Sequence, residues 1–246
     1  MNIQEPVVAE LFASPLKIYS PVPRMTGEII FSMENGSIYT FHPQEEAPAK
    51  IVTHGGHASG IAMDARATTK LFLADMAHQA ILSPEIRDPS SGEGTVTEEL
   101  VQGFDGEPFL GPHSIVLSKN GEKLYFSDSG PWGETSIQNP KGSIYCIECD
   151  PKNIAPLAYN CLAYPSGITL SNDEKFLYVC ETGRNRLLRF ILKEECPFRF
   201  TVFFQFNGRY GPTAITTHAE SGNLYVALFE FKGRFGRSYP RVRPKR

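Results

Sequence analysis

Four pairs of residues carry most of the chemistry this sequence could perform. Ser59 and Asp75, His113 and Asp128, Ser166 and Glu181, and Thr213 and Leu228 stand 16, 15, 15 and 15 residues apart. If each stretch folds back as two antiparallel strands, the end of the second lies beside the start of the first. Three carboxylates, one imidazole and three hydroxyls would then share one end of the molecule. His113 titrates near neutrality and can act as general acid or base, with Asp128 orienting it, which makes the two a candidate catalytic pair. Asp75 and Glu181 could hold a cation that polarises a carbonyl, while Ser59, Ser166 and Thr213 would bind substrate. A second reading uses the same residues structurally. Acidic side chains at strand ends accept backbone N–H groups in the adjoining turn, and a buried histidine can be a satisfied polar group.

Other candidates are less specific. Cys146-Ile147-Glu148-Cys149 has the spacing of a redox or zinc pair, yet on a strand its thiols point to opposite faces and no second pair follows, so packing is expected. His54-Gly55-Gly56-His57 could bind a metal, but its glycines read as a connection between elements. Trp132, between Pro131 and Gly133, lies in a long loop and could cover a site or anchor the surface. The sequence contains no Gly-x-Ser-x-Gly elbow and no phosphate-binding loop.

The elements that must position these residues recur along the chain. SGIAMDARATTKLFLAD from Ser59, HSIVLSKNGEKLYFSD from His113, SGITLSNDEKFLYVCE from Ser166 and TAITTHAESGNLYVAL from Thr213 share one pattern, with Ile61, Ile115, Ile168 and Ile215 aligned at steps of 54, 53 and 47 residues. Each half is too short for a helix and rich in β-branched and aromatic residues, with Asn120-Gly121, Asn172-Asp173 and Ser221-Gly222 between the halves. Further strand pairs include Gln79 to Leu82, Gly142 to Tyr145 and Asn185 to Phe190. Four short strands per roughly fifty residues make a β-propeller blade. Glu28 to Phe31 and Gly36 to Phe41 read as the later half of an earlier blade, giving about five, and Asn35-Gly36 reads as a turn. Ser83 to Val96 and Ser129 to Lys141 read as surface insertions. The fold class is all-β, a β-propeller; a two-sheet sandwich would not explain the repeat.

Composition narrows the function classes. The chain has 246 residues, 41% hydrophobic and 21% charged, with a formal net charge of −3. Such a chain can bury a full core, and its charge gives no drive toward nucleic acid. No apolar run is long enough for a membrane helix, and MNIQEPVVAE has acid where a signal peptide needs base, so a cytoplasmic location is expected. Five cysteines without small-secreted spacing read as reduced thiols.

The phrases GPHSIVLSKNGEKLYFSDSGPWG, YPSGITLSNDEKFLYVCETGRNRLLRF and GPTAITTHAESGNLYVA resemble successive blades of the six-bladed senescence marker protein, gluconolactonase and luciferin-regenerating enzyme family, over about Gly27 to Phe231. That resemblance implies hydrolysis of a small lactone or ester at the mouth of the central channel. It also implies a divalent cation (Ca²⁺, Zn²⁺, Mg²⁺ or Mn²⁺) held by a first-blade Glu, the Asn of a Pro-Asn-Gly and the Asp of a Pro-Asp-Gly. The matching positions here are Ser166 and Thr213, with no Glu counterpart near Ser20-Pro21-Val22-Pro23, and neither hydroxyl is a strong hard-cation ligand. A non-catalytic propeller that binds a metabolite or a protein is therefore the alternative.

Residues 1–231 are expected to form the propeller and 232–246 a disordered tail. KGRFGRSYPRVRPKR has seven basic residues and no acid, so the ring is expected to stand incomplete, with a truncated last blade and open sheet edges that favour self-association.

Overall fold

The computed structural model describes residues 16–24, 26–64, 70–84, 97–149, 152–192, 199–208, 210–230 and 241–242. Of the insertion read from Ser83 to Val96, residues 85–96 lie outside this set, as does the basic tail apart from Arg241–Val242. Among the described residues the regular elements are strands and one 3-10 turn, Thr182–Arg184.

Five antiparallel sheets follow one another, each with its strands in chain order. The first holds β1 (Ile18–Pro23), β2 (Ile29–Met33), β3 (Ser37–Phe41) and β4 (Ala49–Thr53). The second holds β5 (Ala58–Met63), β6 (Leu71–Asp75), β7 (Ala80–Pro84) and β8 (Thr97–Val101). A two-stranded hairpin, β9 (Gly103–Phe104) with β10 (Glu107–Pro108), leads to the third sheet of β11 (Pro112–Leu117), β12 (Lys123–Asp128), β13 (Gly142–Cys149) and β14 (Lys152–Leu162). The fourth comprises β15 (Pro165–Leu170), β16 (Phe176–Glu181), β17 (Arg186–Ile191) and β18 (Arg199–Gln205). The fifth pairs β19 (Tyr210–Thr217) with β20 (Leu224–Glu230) and with the two-residue β21 (Arg241–Val242). The segment expected to be a tail thus contributes a short strand to the last sheet.

The first strands touch one another in succession, β1 with β5, β5 with β11, β11 with β15 and β15 with β19, so they line the axis. The aligned isoleucines sit on these inner strands opposite Leu73, Phe126, Val179 and Val226. The core lies between neighbouring sheets. One layer packs Ile30 and Ile38 against Ile61 and Leu73, the next Ala62 and Ile81 against Ile115 and Phe126, and the third Ile144 against Ile168 and Val179. Burying apolar faces against both neighbours is what stabilises a radial array of small sheets. Cys146 faces one layer and Cys149 the next, as expected for thiols three apart on a strand.

Two expectations need correction. The first unit is a whole four-stranded blade; its inner strand β1 carries Pro21 and Pro23, which mask a strand in sequence because proline cannot donate to the ladder. The hairpin register also differs by one residue. Asp75, Asp128, Glu181 and Leu228 lie opposite Ala58, Pro112, Pro165 and Pro212, and the register shifts immediately afterwards. Ser59, His113, Ser166 and Thr213 are therefore extra residues in bulges, which re-aim side chains at the start of each inner strand.

The residue facing the next inner strand alternates between serine and glycine, although Thr182 Oγ1 also donates to the Pro212 carbonyl at 2.7 Å between the fourth and fifth blades. Between the first and second, Ser32 Oγ donates to the Ala58 carbonyl at 2.6 Å and Ser20 Oγ accepts the Ile61 N–H at 2.8 Å. Between the third and fourth, Ser127 Oγ donates to the Ser166 carbonyl at 2.6 Å and Ser114 Oγ accepts the Ile168 N–H at 3.4 Å. At the two other junctions glycine lets bare backbones meet. A Cβ on Gly60 would lie 2.9 Å from Ser114 Cα, and one on Gly167 would lie 2.7 Å from Ala214 Cα.

Candidate functional site at the channel mouth

Antiparallel order puts the start of every inner strand, the end of every second strand and the turns that follow at one end of the ring. The three carboxylates lie there, and each grips the backbone 18 residues before it. Asp75 Oδ1 accepts the His57 N–H at 3.1 Å and also those of Ala77 and His78, both at 2.9 Å. Asp128 accepts the N–H groups of Leu110 at 3.0 Å and Gly111 at 2.7 Å. Glu181 accepts the Ala163 N–H at 2.9 Å, and Arg184 and Arg186 each donate to it at 2.5 Å. These clamps fix the chain as it enters each inner strand. Both Glu181 oxygens are taken by guanidinium groups, which leaves it poorly placed to hold a metal.

The electrostatics of the group are uneven. Burial pushes the Asp128 carboxyl up to about 6, only partly opposed by its two backbone hydrogen bonds. Burial acts upward on Asp75 too, but the adjacent His54 imidazole and the His78 and His57 N–H groups outweigh it and hold the carboxyl well below the usual range. Burial lowers the His113 imidazole to about 4, aided by the like charge that His57 could carry, so His113 is neutral at physiological pH.

The inner-strand residues divide by whether their polar atoms are satisfied. Ser166 is fully buried, with Oγ 2.7 Å from Thr182 Oγ1 and 3.4 Å from the Pro212 carbonyl. Thr213 Oγ1 donates to the Ala227 carbonyl at 3.4 Å. By contrast, Ser59 Oγ and His113 Nδ1 are buried without hydrogen-bond partners. Asp128 does not bond His113 Nδ1, because it is engaged with Leu110 and Gly111. Aromatic rings stand beside His113 and His57. Tyr164 meets His113 edge-on with centroids 5.8 Å apart, Trp132 packs on Tyr164 at 4.6 Å while remaining 59% exposed, and Tyr19 lies 4.8 Å from His57. Tyr164 adopts φ 52°, rare for an aromatic residue, and is held there by its N–H to Thr135 Oγ1 and by the Thr182 N–H to its carbonyl. Sequence reasoning did not find Tyr19 or Tyr164, since neither belongs to the repeated pattern.

A channel cation of the expected kind does not fit the matched positions. Ser166 and Thr213 offer neutral hydroxyls already committed inside the protein, whereas a hard cation requires six or more oxygens, several of them anionic. A different cluster gathers beside the mouth: His54, Asp75 and His78 offer ligand atoms that all lie within 4.8 Å of one another.

The family profile described as SMP-30/Gluconolactonase/LRE-like region matches residues 25–238. Among curated proteins, the chain is similar to Lactonase drp35 of Staphylococcus haemolyticus, 36% identical over 140 residues, which is 55% of this chain and 40% of that protein. Lactonase drp35 of Staphylococcus saprophyticus is 29% identical over 196 residues, covering 78% of this chain and 53% of its own length. The chain thus spans about half the length of the curated relatives it matches. Its fold is similar to that of a gluconolactonase from Xanthomonas campestris, with a TM-score of 0.70 at 17% identity over 89% of this chain and 74% of that one. It is also similar to a calcium-binding protein, regucalcin, from Agrobacterium tumefaciens, with a TM-score of 0.69 at 18% identity over 89% and 70%. Among the described residues no helix is long and apolar enough to cross a membrane.

Proposed function

The chain belongs to the SMP-30/gluconolactonase/LRE-like family, and on that premise we propose that it is a lactonase-like hydrolase acting on a small lactone or ester at the channel mouth. The observation that carries this reading is that His113 Nδ1 and Ser59 Oγ, at equivalent positions on neighbouring inner strands, are buried and unpartnered, with Tyr164 and Trp132 on the His113 side. Buried polar atoms without partners are costly unless a ligand or water satisfies them. An apolar-walled mouth with a few convergent polar groups suits a ring-shaped substrate with one polar edge.

In this reading Ser59 Oγ–H donates to the lactone carbonyl and His113 takes a proton from the attacking water as the new C–O bond forms. The ring C–O bond then breaks, and the imidazolium returns that proton to the leaving alkoxide, giving the hydroxy acid. A histidine held near 4 is a modest base but a correspondingly strong acid toward an alkoxide. Tyr164 and Trp132 would shield the site and face the ring. The drp35 lactonases support the lactone class, and the matched lengths leave the whole protein's substrate to experiment.

The test is turnover of five- and six-membered lactones, followed by pH-stat, with wild type and His113→Gln. Loss of general acid–base help predicts a fall in kcat of about 100-fold or more. Wild-type activity should be level from pH 6 to 8 and fall with a midpoint near 4. Turnover unchanged in the variant would reject this site, and ligand binding without turnover in the wild type would make the propeller a binding module.

A further inference from the structure

The His54, Asp75 and His78 cluster belongs to none of the steps above. His54 lies in the connection from β4 to β5, Asp75 ends β6, and His78 follows in the turn to β7, so two blades contribute. Asp75 divides its oxygens. Oδ1 holds three backbone N–H groups, while Oδ2 is buried and makes no hydrogen bond. The His54 side chain is fully buried, its Nδ1 lies 2.9 Å from Asp75 Oδ2, and its Nε2 has no partner. The Gly56 N–H lies 3.3 Å from the same Nδ1. A ring nitrogen and a carboxylate oxygen as close as Nδ1 and Oδ2 share a positive charge, either a proton on Nδ1 or a metal ion bound by both.

The third donor completes the set. His78 Nδ1 stands 3.3 Å from Asp75 Oδ1, on a side chain 39% exposed. Donor atoms bound to one zinc-sized ion at bonds near 2.1 Å are about 3.4 Å apart in a tetrahedron, so the observed spacings need only small rotations. Gly56 makes room for this convergence, since a Cβ there would collide with Asp75 Oδ2 and His78 Nδ1. The cluster opens on a cavity of about 270 Å³ lined by His54, His78, Leu82 and Glu99, where water or the Glu99 carboxylate has access.

We propose that His54, Asp75 and His78 bind one divalent transition-metal ion of the Zn²⁺ class at the rim of the channel mouth. Two imidazoles and one carboxylate match that class, whereas Ca²⁺ prefers an all-oxygen shell. The site differs from a cation on the channel axis in both position and donor chemistry. It stands whether or not the mouth hydrolyses lactones.

The experiment is calorimetric titration of the full chain, freed of metal by chelation and dialysis, with Zn²⁺ and with Ca²⁺. One Zn²⁺ per chain is expected, with Ca²⁺ at least 100-fold weaker. His78→Ala removes a partly exposed ligand and should weaken Zn²⁺ at least tenfold while leaving the metal-free thermal midpoint unchanged. Should that variant fold poorly, Co²⁺ added to wild type gives a second readout: visible bands of a nitrogen–oxygen site are expected, without the intense sulfur-to-cobalt absorption of a cysteine site. Absence of stoichiometric Zn²⁺ binding, equal affinity in His78→Ala, or a sulfur-to-cobalt band would overturn the proposal. Lactone turnover is scored separately, so loss of either property leaves the other reading standing.

Discussion

Replacing His113 with Gln should make folding stability less sensitive to acid, by an amount the structure sets. The imidazole titrates at its ordinary 6.5 in the unfolded chain and near 4 in the folded one. Between those values the unfolded chain takes up a proton that the folded chain refuses, so wild-type stability is intact above pH 6.5 and falls as pH drops through this window. Linkage gives a loss of about 2 kcal/mol at pH 5 and about 3 kcal/mol at pH 4. Glutamine does not titrate and avoids that loss. Asp128, pushed up to about 6, works in the opposite direction. Its ionised form is the one disfavoured by folding, so its cost is present above 6 and relieved toward 3.8. Asp75 loses stabilisation only in stronger acid. Both terms are common to the two proteins and cancel in the difference. Urea unfolding of wild type and His113→Gln at pH 8, 6.5 and 5 reads the quantity directly. The variant should gain about 2 kcal/mol on wild type between pH 8 and pH 5, and a difference that does not move with pH would show that His113 is hydrated and refute the buried-mouth geometry.

Two further substitutions test the junctions between blades. Gly167→Ala would bring a methyl group within 2.7 Å of Ala214 Cα and 2.8 Å of the Thr213 carbonyl, both of them backbone atoms. A cost of about 2 kcal/mol, or about 4–8 °C in thermal midpoint, is expected, and an unchanged midpoint would contradict the close approach. Ser127→Ala strands the buried Ser166 carbonyl and the Ser114 N–H, which Ser127 Oγ serves at 2.6 and 3.1 Å. A loss of about 1–3 kcal/mol follows, while Gln138→Ala at an exposed position should lie within about 0.5 kcal/mol of wild type; equal effects would count against the junction.

The legible part of the sequence was what repeats. Aligned isoleucines, aromatic second strands and Asn-Gly or Ser-Gly turns follow from local propensity and patterning, so the hairpins and blades could be read directly. The inner strand of the first blade could not, because two prolines conceal a pairing that tertiary contacts impose. Bulges hid the register. A separation of 15 between His113 and Asp128 looks like facing partners, yet one extra residue puts Pro112 opposite Asp128 and leaves His113 unpaired in the bulge. Carboxylates at strand ends offered two meanings in sequence, and the backbone N–H groups 18 residues upstream explain what they grip. The histidine cluster was half visible. His54-Gly55-Gly56-His57 suggested metal binding between its own histidines, but the fold pairs His54 with Asp75 and His78 from the neighbouring hairpin, a meeting of residues distant in sequence that no local spacing encodes.

The alternation of junctions bears on how such a ring can be rearranged. Inner and second strands carry Ser114 with Ser127 in the third blade but Gly60 with Ala74 in the second, and the fourth has Gly167 on its inner strand. Exchanging the second and third blades would drive a hydroxymethyl group into a backbone that tolerates only hydrogen, and would leave the carbonyl that Ser127 serves without its donor. Two adjacent blades moved together carry both kinds of junction with them. In recombination or in engineered circular arrays, the interchangeable part of the first four blades is therefore the pair, and grafts made one blade at a time should fail where grafts of two succeed.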